Sequence, residues 1–204
     1  MTGLPSRREA EALLAWAGAC NPGPWTEHSR TAARAAERIA RAGGMDAEKA
    51  YVLLLLHDIG RYEGVRGLHH VLAGHELMTE KGFPACARVC LTHSFPLPRL
   101  EAYTGRMDCT DDEKRLLERL LAETEFDEYD RLAQLCDAIS LPRGVSLMET
   151  RLTDVALRNG FNGCSTEKWR AFFAVKRAFD ERCGGNVYAL FRDEIIETIF
   201  EGKE

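Results

Sequence analysis

His57 and Asp58 stand side by side directly after Tyr51-Val-Leu-Leu-Leu-Leu56, which holds the longest uninterrupted run of large aliphatic residues in the 204-residue chain, Val52 to Leu56. So apolar a segment belongs near the centre of a fold. A carboxylate at its end would be poorly solvated, and burying it is costly unless it is paired or bound to a cation. Gly60 is expected to end the helix just beyond. That ending would let the two side chains converge, although neighbours on a regular helix point roughly 100° apart. A His-Asp dipeptide alone identifies nothing, since about 0.3 are expected by chance at this composition.

The remaining histidines strengthen the case. His28 shares a helical face with Ala32, Ala35, Ala36 and Ile39, the apolar stripe of its segment. His93 shares one with Cys86, Val89 and Cys90, and His70 with Ala73, Gly74 and Leu77. A single core histidine is usually satisfied by a carbonyl. Four on inward faces of successive helices point to a common ligand, and neutral imidazole is the commonest metal ligand. Asp137 joins them from the stripe of Leu132, Leu135, Cys136 and Ile139. Asp130 falls on nearly the same face and is read as solvated rather than as a support to the ligands. Cys86 and Cys90, one turn apart, have no partner pair and read as buried thiols.

The elements that must position these residues read as helices throughout. Ser6-x-x-Glu9 and Thr110-x-x-Glu113 are capping boxes, and Ser165 with Glu167 suits a third helix start. The expected helices span 6–20, 26–42, 46–60, 68–81, 84–94, 111–125, 127–140, 147–159, 165–182 and 187–201, with Pro96-Leu97-Pro98 as a loop. Period-two alternation is nearly absent. The fold class is therefore all-α. Hydrophobic residues make up 45% and charged residues 29%, enough for one packed core, and one domain over 1–204 is expected. No stretch is long enough to cross a bilayer, and no apolar block of a signal peptide stands at the N-terminus. Seven cysteines without paired spacing read as reduced thiols in the cytoplasm. A net charge of −5 argues against nucleic-acid polymers as partners.

In the order His28, His57-Asp58, Asp137 the sequence resembles the HD superfamily of metal-dependent phosphohydrolases. Leu-Leu-Leu-Leu-His57-Asp58-Ile-Gly60-Arg61 is similar to that family's central helix, and His69-His70-Val-Leu-Ala-Gly74 to the next one. The resemblance covers roughly 26–140 and implies an HD-domain helical bundle, with 141–204 as a helical extension. Nucleotidases and alarmone hydrolases of the family tend to carry a glutamate where this chain has Arg61. Cyclic-dinucleotide phosphodiesterases and diadenosine tetraphosphate hydrolases carry a basic residue there. The Gly-Tyr-Pro element of the former is absent. His70 and His93 are similar to the additional histidines of binuclear members, with His69 able to replace His70. His75 is read as an outer support or a surface residue.

The resemblance implies a centre in which His28, His57, Asp58 and Asp137 hold one metal and His70 and His93 a second, with Asp58 bridging. Imidazole and carboxylate together suit Fe, Mn, Co, Ni or Zn, at one or two ions per chain. Such ions supply a water nucleophile at neutral pH and neutralise charge on a phosphoryl group. Arg61 is the candidate phosphate clamp, or else a partner for helix-end carbonyls; Arg66 and Lys81 are weaker candidates. The aromatic residues Trp169, Phe172, Phe173, Phe179, Phe191 and Phe200 are expected to fill a core or cover the other helices, or to form a homodimer face. The expected activity is hydrolysis of a small phosphorylated metabolite of the nucleotide kind. The alternatives are a di-iron oxygenase and a non-catalytic nucleotide-binding module.

Overall fold

The computed structural model describes residues 3–200, Phe200 by its backbone only. Ten α-helices run through the described residues: α1 (Arg7–Cys20), α2 (Trp25–Ala42), α3 (Ala47–Leu55), α4 (His69–Glu80), α5 (Pro84–Thr92), α6 (Asp111–Glu123), α7 (Glu128–Ile139), α8 (Met148–Asn159), α9 (Ser165–Arg182) and α10 (Arg192–Phe200). The one expected helix position beyond them, 201, lies outside the described residues. No described helix is long and apolar enough to cross a membrane.

The centre of the bundle follows from two complementary sequences. On α2 a stripe of small residues (Ala32, Ala35, Ala36) with Ile39 and Ala40 is fully buried. Small side chains let a neighbour approach closely, and α3 fills that space with Val52, Leu53, Leu54 and Leu55, all buried. Helix α7 closes the group with Leu132, Leu135, Cys136 and Ile139. A second apolar cluster joins α4, α5 and α6 through Leu68, Val71, Leu91, Phe95, Leu117 and Leu121. Both expected capping boxes form, at Ser6/Glu9 and Thr110/Glu113.

Several expectations are corrected. Helix α3 stops at Leu55, five residues before Gly60, and the chain turns through Leu56, His57 and Asp58 into a 3₁₀ turn at Ile59–Glu63. Gly60 is therefore not a helix stop. It is a point of contact: a Cβ there would lie 2.0 Å from the His70 carbonyl oxygen and 2.4 Å from the Gly74 nitrogen, so α4 crosses against its bare backbone. Ser165 opens α9 as expected but gives no side-chain cap; Asn162 Oδ1 accepts from the Cys164 amide instead. Asp130 is not solvated. It is fully buried, accepts from Thr92 Oγ1 at 2.7 Å and from the Asp127 amide, and faces Arg88. Asp127 and Asp130 form a third capping box at the start of α7. The last expected helix is a 3₁₀ turn at Val187–Phe191 before α10 begins.

The chain also holds a two-stranded antiparallel sheet, β1 (Ser140–Leu141) and β2 (Gly144–Val145), pairing Ser140 with Val145. It is too short for period-two alternation to signal. Beyond it, α8 and α9, joined by the short connection 160–164, each pack on α7, and residues of both line the cavity over the histidines.

Gly60→Ala is expected to destabilise strongly, because backbone atoms of α4 cannot yield. The expected loss is about 2–4 kcal/mol, or roughly 5–15 °C in melting temperature. Gly163→Ala, where an added Cβ meets nothing within 4 Å, should leave the thermal midpoint unchanged.

Candidate metal centre

Each histidine of the central group is oriented by the same device. His28, on the first turns of α2, has Nδ1 3.1 Å from the Ser140 carbonyl. His57, in the turn after α3, has Nδ1 2.6 Å from the Leu54 carbonyl. His70 Nδ1 meets the Gly67 carbonyl, and His93, at the end of α5, has Nδ1 2.9 Å from that of Cys90. A carbonyl only accepts, so in all four rings Nδ1 donates and the Nε2 lone pair points the other way.

The four Nε2 atoms meet two carboxylates. His28 Nε2 is 3.0 Å and His57 Nε2 3.8 Å from Asp137 Oδ1. His70 Nε2 is 3.1 Å and His93 Nε2 3.6 Å from Asp58 Oδ1, and the two nitrogens are 3.3 Å apart. His57 Nε2 is also 4.0 Å from Asp58 Oδ2. Donor atoms around a tetrahedral ion at about 2.1 Å stand roughly 3.4 Å apart, which is the scale seen here. Among the described residues three sets of atoms are close enough to hold a metal; two belong to this group, His28-His57-Asp137 and His57-Asp58-His93, and share His57, while the third, His69-Cys109-Glu113, lies apart from it.

Electrostatics point the same way. His57 Nε2 and Asp58 Oδ1 are buried and lack a hydrogen-bond partner, a condition worth about 1–3 kcal/mol per atom if nothing satisfies it. Burial opposes ionisation of Asp58, but Arg61, His57 and His70 overcome it and hold the carboxyl well below the usual carboxylate range. Asp137 is held down likewise, against burial, by His28 and His57. Burial lowers the His57 imidazole, yet Asp58 and Asp137 outweigh it and favour positive charge at the ring. His93 is pushed down to about 3 by burial and by His57, so it stays neutral and able to ligate. The residues present fit a divalent cation bound by imidazole and carboxylate.

His28, Asp58, His70, His93 and Asp137 form the floor of a cavity of about 420 Å³, with His57 wholly buried behind them. Arg61 lines it with Nε 2.5 Å from Asp58 Oδ2, so its ion pair is with the motif carboxylate and not with helix-end carbonyls. Arg66 is exposed, and Lys81 sits near the Trp16 ring; neither lines the cavity. His69 points elsewhere, held between Glu63 at 2.9 Å and Glu113 at 3.5 Å, so His70 is the ring in the group. His75 is half-buried and donates to the Ala87 carbonyl, tying α4 to α5. Cys86 and Cys90 are buried, the latter donating to the Leu56 carbonyl at 3.2 Å.

The α8–α9 hairpin supplies the facing wall, and here the sequence reading missed functional candidates. Phe172, Phe179 and Phe191 are buried as expected, whereas Phe173 is exposed and the Phe200 side chain lies outside the described residues; Phe172 also lines the cavity together with Trp169 and the exposed Phe161. Trp25, Tyr103, Arg151, Arg158 and Lys168 line it too. Only the aromatic spacing of α9 could have hinted at these, and it does not separate a cavity wall from a core.

The HD-domain family model matches residues 25–141, more than half of the chain, and the chain belongs to the HD-domain family. No curated protein and no solved structure matches it.

Divalent transition metal added to chelator-treated protein is expected to raise the melting temperature. The gain should approach about 2.7 kcal/mol at a hundredfold excess over Kd and be much reduced in His28→Ala and Asp58→Ala. Differential scanning calorimetry with metal analysis checks this. A second outcome concerns Lys168, whose ammonium burial pushes down to about 8. Its unfolded value is about 10.4. Between these values the unfolded chain binds more protons, so stability rises with pH there and the penalty is fully present below about pH 8. Lys168→Met is therefore expected to be more stable than the native chain below pH 8, with the difference fading toward pH 10 in denaturant titrations.

Proposed function

We propose that the chain is a metal-dependent phosphohydrolase acting on a small phosphorylated metabolite of the nucleotide class. The observation that carries the reading is the pairing of two ligand groups, around Asp137 and around Asp58, on one cavity floor. Two divalent transition-metal ions are proposed, held by His28, His57, Asp58 and Asp137 and by His70, His93 and Asp58. When bound, such ions lower the pKa of a water and neutralise charge on the phosphoryl oxygens.

The chain's own residues would do the rest. Asp58, fully ionised, offers Oδ1 toward His70 and His93 and Oδ2 toward His57, and so can serve both ions. Arg61 steadies Oδ2 through Nε and keeps further N–H donors for a phosphoryl oxygen. The four Nδ1–H anchors fix the orientation of each ring and aim its Nε2 inward, so little reorganisation is needed on binding. Trp25, Phe161 and Trp169 offer ring faces on which a base could stack, which favours a nucleotide over a plain sugar phosphate.

The test is phosphate release from a nucleotide panel by metal-loaded protein. Asp58→Ala is expected to lower kcat/KM about 10³-fold, the loss of several kcal/mol of transition-state stabilisation. Unchanged activity in that variant would reject the centre. Oxygen consumption without phosphate release would replace the reading with an oxygenase, and nucleotide-dependent stabilisation without product would replace it with a binding module.

A further inference from the structure

Lys168 is a buried cation with no carboxylate in direct contact, Asp137 acting on it only through space. It stands on α9, 8% exposed, and its ammonium donates to Thr104 Oγ1 at 3.2 Å, with the Phe172 ring centroid 5.9 Å away. Among the described residues it forms no ion pair. The other cations of the cavity each have one: Arg61 with Asp58, Arg158 with Asp154 at 2.7 Å, and Arg151 with Asp154 at 3.7 Å. The same helix carries its own control. Lys176, two turns on and equally buried, is paired with Asp180 at 2.8 Å and with Asn186 at 3.1 Å. A lysine buried for packing is thus matched on α9, and the one facing the cavity is not.

An ammonium on a residue that is 8% exposed and has no carboxylate in contact is costly unless something anionic arrives to meet it. The group must enter through the cavity, since Lys168 lines it alongside Arg61 and Asp137. We infer that Lys168 is a phosphate receptor: its ammonium binds oxygen atoms of the substrate's phosphate from the α9 wall of the cavity, with Thr104 fixing the side chain. This deepens the phosphohydrolase reading as to substrate but does not depend on turnover. Lys168 lies beyond the segment that the family model matches. Recognition of the substrate anion is then shared between the HD segment, through Arg61, and the hairpin that follows it.

The experiment is calorimetric titration of inorganic phosphate into metal-loaded protein. Lys168→Met, which keeps the apolar stem, should weaken phosphate binding about tenfold or more, the worth of one charge-assisted hydrogen bond. Lys168→Arg should restore much of it, and metal content should match the native chain in both. Equal phosphate affinity in Lys168→Met overturns the inference. So does failure of both Lys168→Met and Lys168→Gln to fold, because a lysine needed for folding is a structural one. If phosphate binding depends on Lys168 but no nucleotide is hydrolysed, the activity falls and the receptor stands. If nucleotides are hydrolysed and phosphate affinity ignores Lys168, the reverse holds.

Discussion

Four imidazoles turn their Nε2 atoms to one place because the opposite nitrogen of each is tied to a main-chain carbonyl. The carbonyls of Leu54, Gly67 and Cys90 lie three residues before the rings they hold, and that of Ser140 reaches across from β1. The consequence is a cluster of acceptors: nitrogen lone pairs and carboxylate oxygens 3 to 4 Å apart with few protons to share. Like groups at such distances repel unless positive charge lies between them. Much of the architecture serves that convergence. Helix α3 must end at Leu55 so that His57 can fold back on Leu54, and Gly60 must lack a side chain so that α4 can bring His70 to the same point.

How much of this is visible in the letters depends on the range of the interaction. His28 and Asp137 are legible because each sits on an apolar stripe, where a polar residue needs a reason. The helices are legible because their periodicity and caps are local. Asp130 reads as solvated although one partner is local: Asp127, three residues earlier, completes a capping box, and Thr92 and Arg88 meet it from another helix. Gly60 reads as a helix stop because the sequence does not show what passes beside it. The choice between His69 and His70 turns on one step of about 100° around a helix, which the 3₁₀ entry to α4 leaves undetermined. Lys168 was invisible for a different reason. A lysine among charged neighbours reads as solvated, and only the fold reveals that its partner is missing while that of Lys176 is present.

The cavity has two sides of unlike origin. Its floor comes from α2, α4, α5, α7 and the turn after α3, all within the matched family segment, and it holds the groups whose spacing chemistry constrains. Its facing wall comes from α8 and α9, and it holds aromatic rings and cations whose spacing only a substrate would constrain. A one-residue shift on the floor would separate ligand atoms that must stay within a fraction of an ångström of place. A comparable shift in the hairpin would leave the ligand group intact and change only what fits above it.

That division also distributes the energetic burden. Unpartnered His57 Nε2, unpartnered Asp58 Oδ1 and the lone ammonium of Lys168 are each unfavourable in a folded chain that holds nothing in the cavity. The first two can persist because the apolar packing of α2, α3 and α7 fixes the backbone around them, and the third is carried by α9, anchored to the bundle through Phe172, Val175 and Phe179. A cation would satisfy two of the three and an anion the third. A ligand bringing negative oxygen to metal bound there would relieve the wall and complement the floor in one event. Binding energy gained in this way depends on both charges being presented together, which neither the metal ligands nor the α9 lysine could achieve from one side of the cavity alone.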